Sequence, residues 1–146
     1  MGSALQIRAL KYGPRVRFIV NDCGFAELES VLKGALRSMF HLPSWLIYPS
    51  SLANKIMFGW SFLDDRPIDS LPGNTVPICF IHGADDDFIL PEHSERLAKA
   101  NPAYSEVHLF PGAKHAESMY SDEDRYLEIL KAFLAKVHEL EKQSEL

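Results

Sequence analysis

The sequence predicts an α/β domain, a three-stranded parallel sheet with flanking helices, and three observations carry that prediction. Residues 15–22 (RVRFIVND) and 76–82 (VPICFIH) hold continuous apolar runs instead of alternating ones, the mark of strands covered on both faces. Helical and strand patterns alternate from Pro91 onward, which implies βαβ units with right-handed crossovers. The 146 residues are 47% hydrophobic and 24% charged, the balance of a globular domain with a core of its own. That composition excludes a disordered tail, a collagen-like rod and a coiled coil.

The elements run in order along the chain. Residues 2–12 form a short helix with Leu5, Ala9 and Leu10 apolar, ended by Gly13-Pro14. Residues 15–22 are the first strand, in which Phe18, Ile19 and Val20 run together. Segment 25–63 breaks the alternation. It carries Leu28, Val31, Leu32, Leu36, Met39 and Phe40, then Trp45, Ile47, Tyr48, Ile56, Met57, Phe58 and Trp60. Because it is longer than an ordinary crossover, it reads as an inserted helical cap, with a plain two-helix crossover as the alternative. The core is accordingly assigned to 1–24 and 64–146 and the cap to 25–63. Residues 76–82 are the second strand, and 91–100 a helix with Pro91 where a missing N–H does no harm. Residues 105–110 are a third strand, closed by Pro111-Gly112. Ser121 caps the last helix, with Asp122, Glu123 and Asp124 at its positive end. Leu127, Leu130, Leu134 and Val137 share one of its faces.

Fifteen Lys and Arg against 20 Asp and Glu leave a net charge of -5 with no basic stripe. Nucleic acid is therefore not an expected partner, since phosphate neutralisation supplies most of that affinity. Cys23 and Cys79 are too few for a disulfide framework or a cysteine-rich zinc site, and both adjoin apolar runs. Reduced core thiols in a cytoplasmic compartment are the expectation. No secretory signal opens the chain. The most apolar stretch, 45–63, is interrupted by Pro49, Ser50, Ser51, Asn54 and Lys55, so no bilayer span is expected. Neither a cofactor nor a metal is expected.

Ligands of open parallel sheets gather beyond the carboxyl ends of the strands. Three polar clusters fall there: Asn21-Asp22, Asp85-Asp86-Asp87 and His115. An aspartate and a histidine on neighbouring strand ends can meet, the carboxylate holding the imidazole in one tautomer while its free nitrogen moves a proton. The pattern His82-Gly83-x-x-Asp86, joined a helix and a strand later by Pro111-Gly112-x-x-His115, carries that arrangement. Asp22 is the rival acid. Asp85 and Asp87 read as loop solvation, and His82 as a loop anchor. His41, His93, His108 and His138 fall on presumed surfaces and receive no role.

These residues resemble a known family. The run FIHGADDDFILPEHSERL is similar to the stretch after the seventh strand of α/β-hydrolases, and HLFPGAKHAESM to their catalytic-histidine loop. The chain resembles most the bacterial serine hydrolases of the acylaminoacyl-peptidase and serine-aminopeptidase type. One departure is Leu90, where many relatives carry Pro. The resemblance implies Asp86 as the catalytic acid and His115 as the base of a Ser-Asp-His triad acting on ester, amide or peptide bonds.

The nucleophile's motif, G-x-S-x-G on a strand-to-helix elbow, is absent. Gly59-Trp60-Ser61 comes nearest but lacks the closing glycine. The opening MGSALQIRAL resembles the residues just after the nucleophile, as in G-x-S-M-G-S-A. The resemblance then implies a C-terminal half in which the serine would directly precede Met1, whose backbone N–H would serve the oxyanion hole. On this reading the chain alone is inactive. Strand 16–22 would present an open edge for a second copy or an N-terminal half. Trp45, Tyr48, Phe58 and Trp60 of the cap would line a substrate pocket. The alternative function is a non-enzymatic binding or assembly module using the apolar cap and that edge.

Overall fold

A computed structural model describes residues 2–10 and 16–144. Its centre is a three-stranded parallel sheet in the order β1 (Ile19–Asp22), β2 (Ile78–Gly83), β3 (Ser105–Phe110). Ile19 pairs with Ile78, and Ile78 in turn with Ser105. The helices are α1 (Gly2–Ala9), α2 (Leu28–Ser38), α3 (Ile47–Phe58), α4 (Glu92–Ala100), α5 (Ser118–Ser121) and α6 (Glu123–Ser144). No helix among the described residues is long and apolar enough to cross a membrane.

The apolar run of β2 has a direct explanation. Successive strand residues point to opposite faces. Ile78 and Phe80 pack with Ile7 of α1 and Leu97 of α4, while Cys79 and Ile81 pack with Phe133 and Val137 of α6. All four are fully buried. The first strand is shorter than the sequence implies, beginning at Ile19, and the expected helix end at 11–12 and strand start at 15 lie outside the described residues.

The last helix differs from expectation in two ways. Asp122, not Ser121, caps it, accepting a hydrogen bond from Arg125 N at 3.0 Å, while the Ser121 hydroxyl donates to Ser118 O. Its core face is Tyr126, Ile129, Leu130, Phe133 and Val137. Leu127 and Leu134 stand 38% and 44% exposed. Aromatic rings decide this rotation. Phe133 stacks on Tyr104 and meets Phe18 edge-on, and a large ring removes more apolar area from water than a leucine does.

Segment 25–63 is helical, as expected. It joins the core at its beginning: Phe25, Leu28 and Val31 pack on Ile89, and Ala26 N donates to His93 Nδ1 at 3.2 Å. His93, read from the sequence as a surface residue, is therefore buried. Farther along, α3 buries only Ile47 and Ser51.

Candidate active site

At the carboxyl end of β2 the chain turns sharply through Ala84 and Asp85. A Cβ at Gly83 would sit 2.4 Å from both Ala113 O and Lys114 O. Only glycine lets the loop after β3 lie this close, and Asp85 N fastens it by donating to Ala113 O at 3.0 Å. Gly112, at φ +78°, makes the turn that brings the loop back. The H-G-x-x-D and P-G-x-x-H patterns thus interlock through backbone contact, and that contact brings Asp86 and His115 together.

Asp86 is 2% exposed, and each of its oxygens has partners. Oδ1 accepts from Phe88 N at 3.0 Å and Ile89 N at 2.9 Å. Oδ2 lies 2.8 Å from His115 Nδ1 and 3.2 Å from His82 Nε2. Two backbone donors and the imidazole fix the position of this carboxylate. Since a carboxylate only accepts, His115 Nδ1 carries the hydrogen and Nε2 is left basic. Nε2 has no hydrogen-bond partner among the described residues, the His115 side chain is 37% exposed, and Phe88 covers it edge-on at 5.2 Å.

His82 is fully buried. Its Nε2 lies 2.7 Å from Ile89 O, which can only accept, so Nε2 carries the hydrogen and Nδ1 accepts from the Ser94 hydroxyl at 2.7 Å. It ties the Asp86 loop to α4, the anchoring read from the sequence. Asp85 and Asp87 are exposed and do not converge with Asp86. The rival acid, Asp22, accepts from Tyr126 OH at 3.1 Å on the α6 side of the sheet. Burial and that carboxylate push the Tyr126 phenol well above its ordinary range.

Sequence reasoning missed three residues of this site, two on the loop after β2 and one after β1. Phe88 and Ile89 contribute the ring over His115 and a backbone donor to Asp86, and no pattern marks them. Cys23 is the third. Its Sγ lies within 4.8 Å of Asp86 and His115 ligand atoms and accepts from Ala116 N at 3.3 Å. Its position directly after β1, at the same sheet end, was the available signal. Burial pushes the Cys23 thiol up to about 11, so it stays protonated at neutral pH and offers no thiolate. Both cysteines are free and buried.

Trp45, Tyr48, Phe58 and Trp60 are all between 48% and 67% exposed. Trp60 lines a groove of about 310 Å³ between α2 and α3, with Leu28, Leu32, Leu36, Phe40 and Ile47. Trp45, Tyr48 and Phe58 are not part of its lining. Tyr48 is instead bound to Lys33 and Glu29. Gly59, at φ +79°, ends α3, and the Ser61 hydroxyl is tied to Ser51 at 2.7 Å and to Leu63 N. The G-W-S sequence is a helix stop and a turn cap. Met1 lies outside the described residues.

No known protein family's model matches this chain. It is 27% identical over 123 residues to the uncharacterized protein YqkD of Bacillus subtilis, a match covering 84% of this chain and 40% of that protein. Among solved structures it is similar to the acylaminoacyl peptidase of Pyrococcus horikoshii, with a TM-score of 0.66 and 12% identity over 93% of this chain and 23% of that one. It is also similar to a thermophilic esterase from Thermogutta terrifontis, with a TM-score of 0.59 and 19% identity over 94% of this chain and 62% of that one. The chain thus spans less than two thirds of the length of these relatives, and its fold is part of an α/β-hydrolase fold.

Proposed function

We propose that this chain supplies the acid and the base of a Ser-Asp-His hydrolase acting on ester or amide bonds. His115 Nε2 takes the serine proton as the hydroxyl attacks the acyl carbonyl, then returns it to the leaving group. Asp86 holds the imidazole in the required tautomer and stabilises its charged form. The observation that carries this reading is the 2.8 Å bond between His115 Nδ1 and a buried carboxylate that two backbone amides already hold in place.

The nucleophile comes from outside these 146 residues, which contain no G-x-S-x-G motif. The chain then corresponds to a C-terminal part of such an enzyme, the Met1 backbone serves the oxyanion, and segment 25–63 acts as a cap over the site. The edge along residues 16–22, of which Ile19–Asp22 form β1, meets either an N-terminal half or a second copy. Two free thiols suit a reducing cytoplasm.

The test applies an ester panel and a serine-reactive phosphonate probe to the 146-residue chain and to the native product, recognised in its source cell by an antibody against α6. The chain alone stays unlabelled and inactive. The native product is labelled, and Asp86→Asn lowers its turnover roughly 10⁴-fold, as in comparable triads. Labelling of the chain alone, or a native product indifferent to Asp86→Asn, overturns the reading.

A second reading, a non-enzymatic binding module, is favoured by one observation. Leu52, Ile56, Met57 and Phe58 on α3, and Phe40 just after α2, are each more than 60% exposed, more apolar surface than scattered exposure explains. A native product of about 16.5 kDa without probe labelling supports this second reading.

A further inference from the structure

On the face of the sheet beneath α6, the β2–β3 register sets Cys79 opposite Glu106, and His108 lies two residues further along β3. The thiol, a Glu106 oxygen and a His108 ring nitrogen all lie within 4.8 Å of one another. His108 Nε2 and Glu106 Oε2 are 2.8 Å apart. The Tyr104 hydroxyl donates to the other Glu106 oxygen at 2.5 Å. We propose that Cys79, Glu106 and His108 bind a thiophilic divalent cation, with Zn²⁺ the ion their chemistry suits best. This site is separate from the Asp86–His115 pair and independent of the proposed hydrolase activity.

The donor set carries the argument. Thiolate, imidazole and carboxylate are the three side-chain ligands of tetrahedral zinc sites, and water completes the fourth position where the protein gives three. Tyr104 acts as the outer partner that orients a ligating carboxylate. Among the described residues, Glu106 is ion-paired with His108 alone, so neither a lysine nor an arginine balances its charge beside a fully buried thiol. A dication answers both groups: it takes the carboxylate as ligand and expels the thiol proton to water. His108 then binds through Nε2 and keeps its hydrogen on Nδ1. Access is from the β3 edge, where the Glu106 and His108 side chains are 20% and 29% exposed.

The experiment titrates the reduced, chelator-free chain with Co²⁺ and reads the thiolate-to-cobalt charge-transfer absorption, which requires a cysteine ligand. We expect one ion per chain and a band that Zn²⁺ abolishes by displacement. Cys23→Ser retains the band and Cys79→Ser loses it. His108→Gln, on a partly exposed position, weakens binding by roughly tenfold or more, and Tyr104→Phe weakens it by about 10- to 100-fold. Circular dichroism reports whether each variant is folded. Should Cys79→Ser fail to fold, His108→Gln and Tyr104→Phe still decide the matter. No band in the parent chain overturns the proposal, as does unchanged affinity in His108→Gln. A band lost in Cys23→Ser overturns it too, because the ion then sits at Cys23, Asp86 and His115.

Discussion

Phe80 in the central strand and Phe58 at the end of α3 are the same side chain in two regions built on different terms. Phe80 is fully buried between α1 and α4, whereas Phe58 is 67% exposed. The difference extends to the polar groups. Around Asp86 every carboxylate oxygen has a partner and two loops share backbone bonds. In α3 only Ile47 and Ser51 are buried. The carboxyl end of the sheet is therefore held by mutually dependent contacts, which fix Asp86 and His115 relative to one another. Segment 25–63 is anchored at its first turns and at Ile47 and Ser51, and leaves Leu52, Ile56, Met57 and Phe58 exposed.

The sharpest way to break this comparison is to truncate the two phenylalanines in parallel. Phe80→Ala is expected to destabilise by about 3–5 kcal/mol in urea unfolding. Gly83→Ala is next. Its new methyl meets two carbonyl oxygens of the His115 loop, so about 2–3 kcal/mol is lost. The His115 ring resonances should shift with it, a displacement that NMR reads directly.

His93 tests the joint between the two regions. Burial, with Arg96 nearby, holds its imidazole below the ordinary value of 6.5, and neutral Nδ1 accepts from Ala26 N. The unfolded chain therefore binds more protons near pH 6. Stability is fully present above 6.5 and is lost as pH falls through the lower folded value. Urea midpoints measured on either side of that window should fall on acidification. His93→Gln should flatten that slope. The smallest effect belongs to Phe58→Ala, within about 0.5 kcal/mol. A loss there as large as that of Phe80→Ala would mean that α3 is covered in solution.

Much of the fold was legible because it depends on local pattern. Residues 105–110 were read as a strand to the residue, and the continuous apolar run of β2 announced helices on both faces. The site was legible for a related reason. Its glycines and its titratable residues lie at short, regular spacings, and Gly83 is required by a contact that no other residue permits. The last helix was harder. Tyr126 and Phe133 outcompete Leu127 and Leu134 for the core because Tyr104, Phe110 and Phe18 offer them rings to pack against, and those neighbours are distant in sequence.

By itself the sequence determined the order of strands and helices, the parallel sheet and the two loops that carry Asp86 and His115. These rest on periodicity, turn residues and spacing, all of which are local. The tertiary structure decided which acid reaches His115, since Asp86 and Asp22 both end strands and only the fold sends Asp22 to Tyr126. It also set Cys23 beside the pair and gathered Cys79, Glu106 and His108 beneath α6. Such meetings depend on strand register and on how closely two loops approach, quantities fixed by the packing of the whole core and by no single stretch of chain.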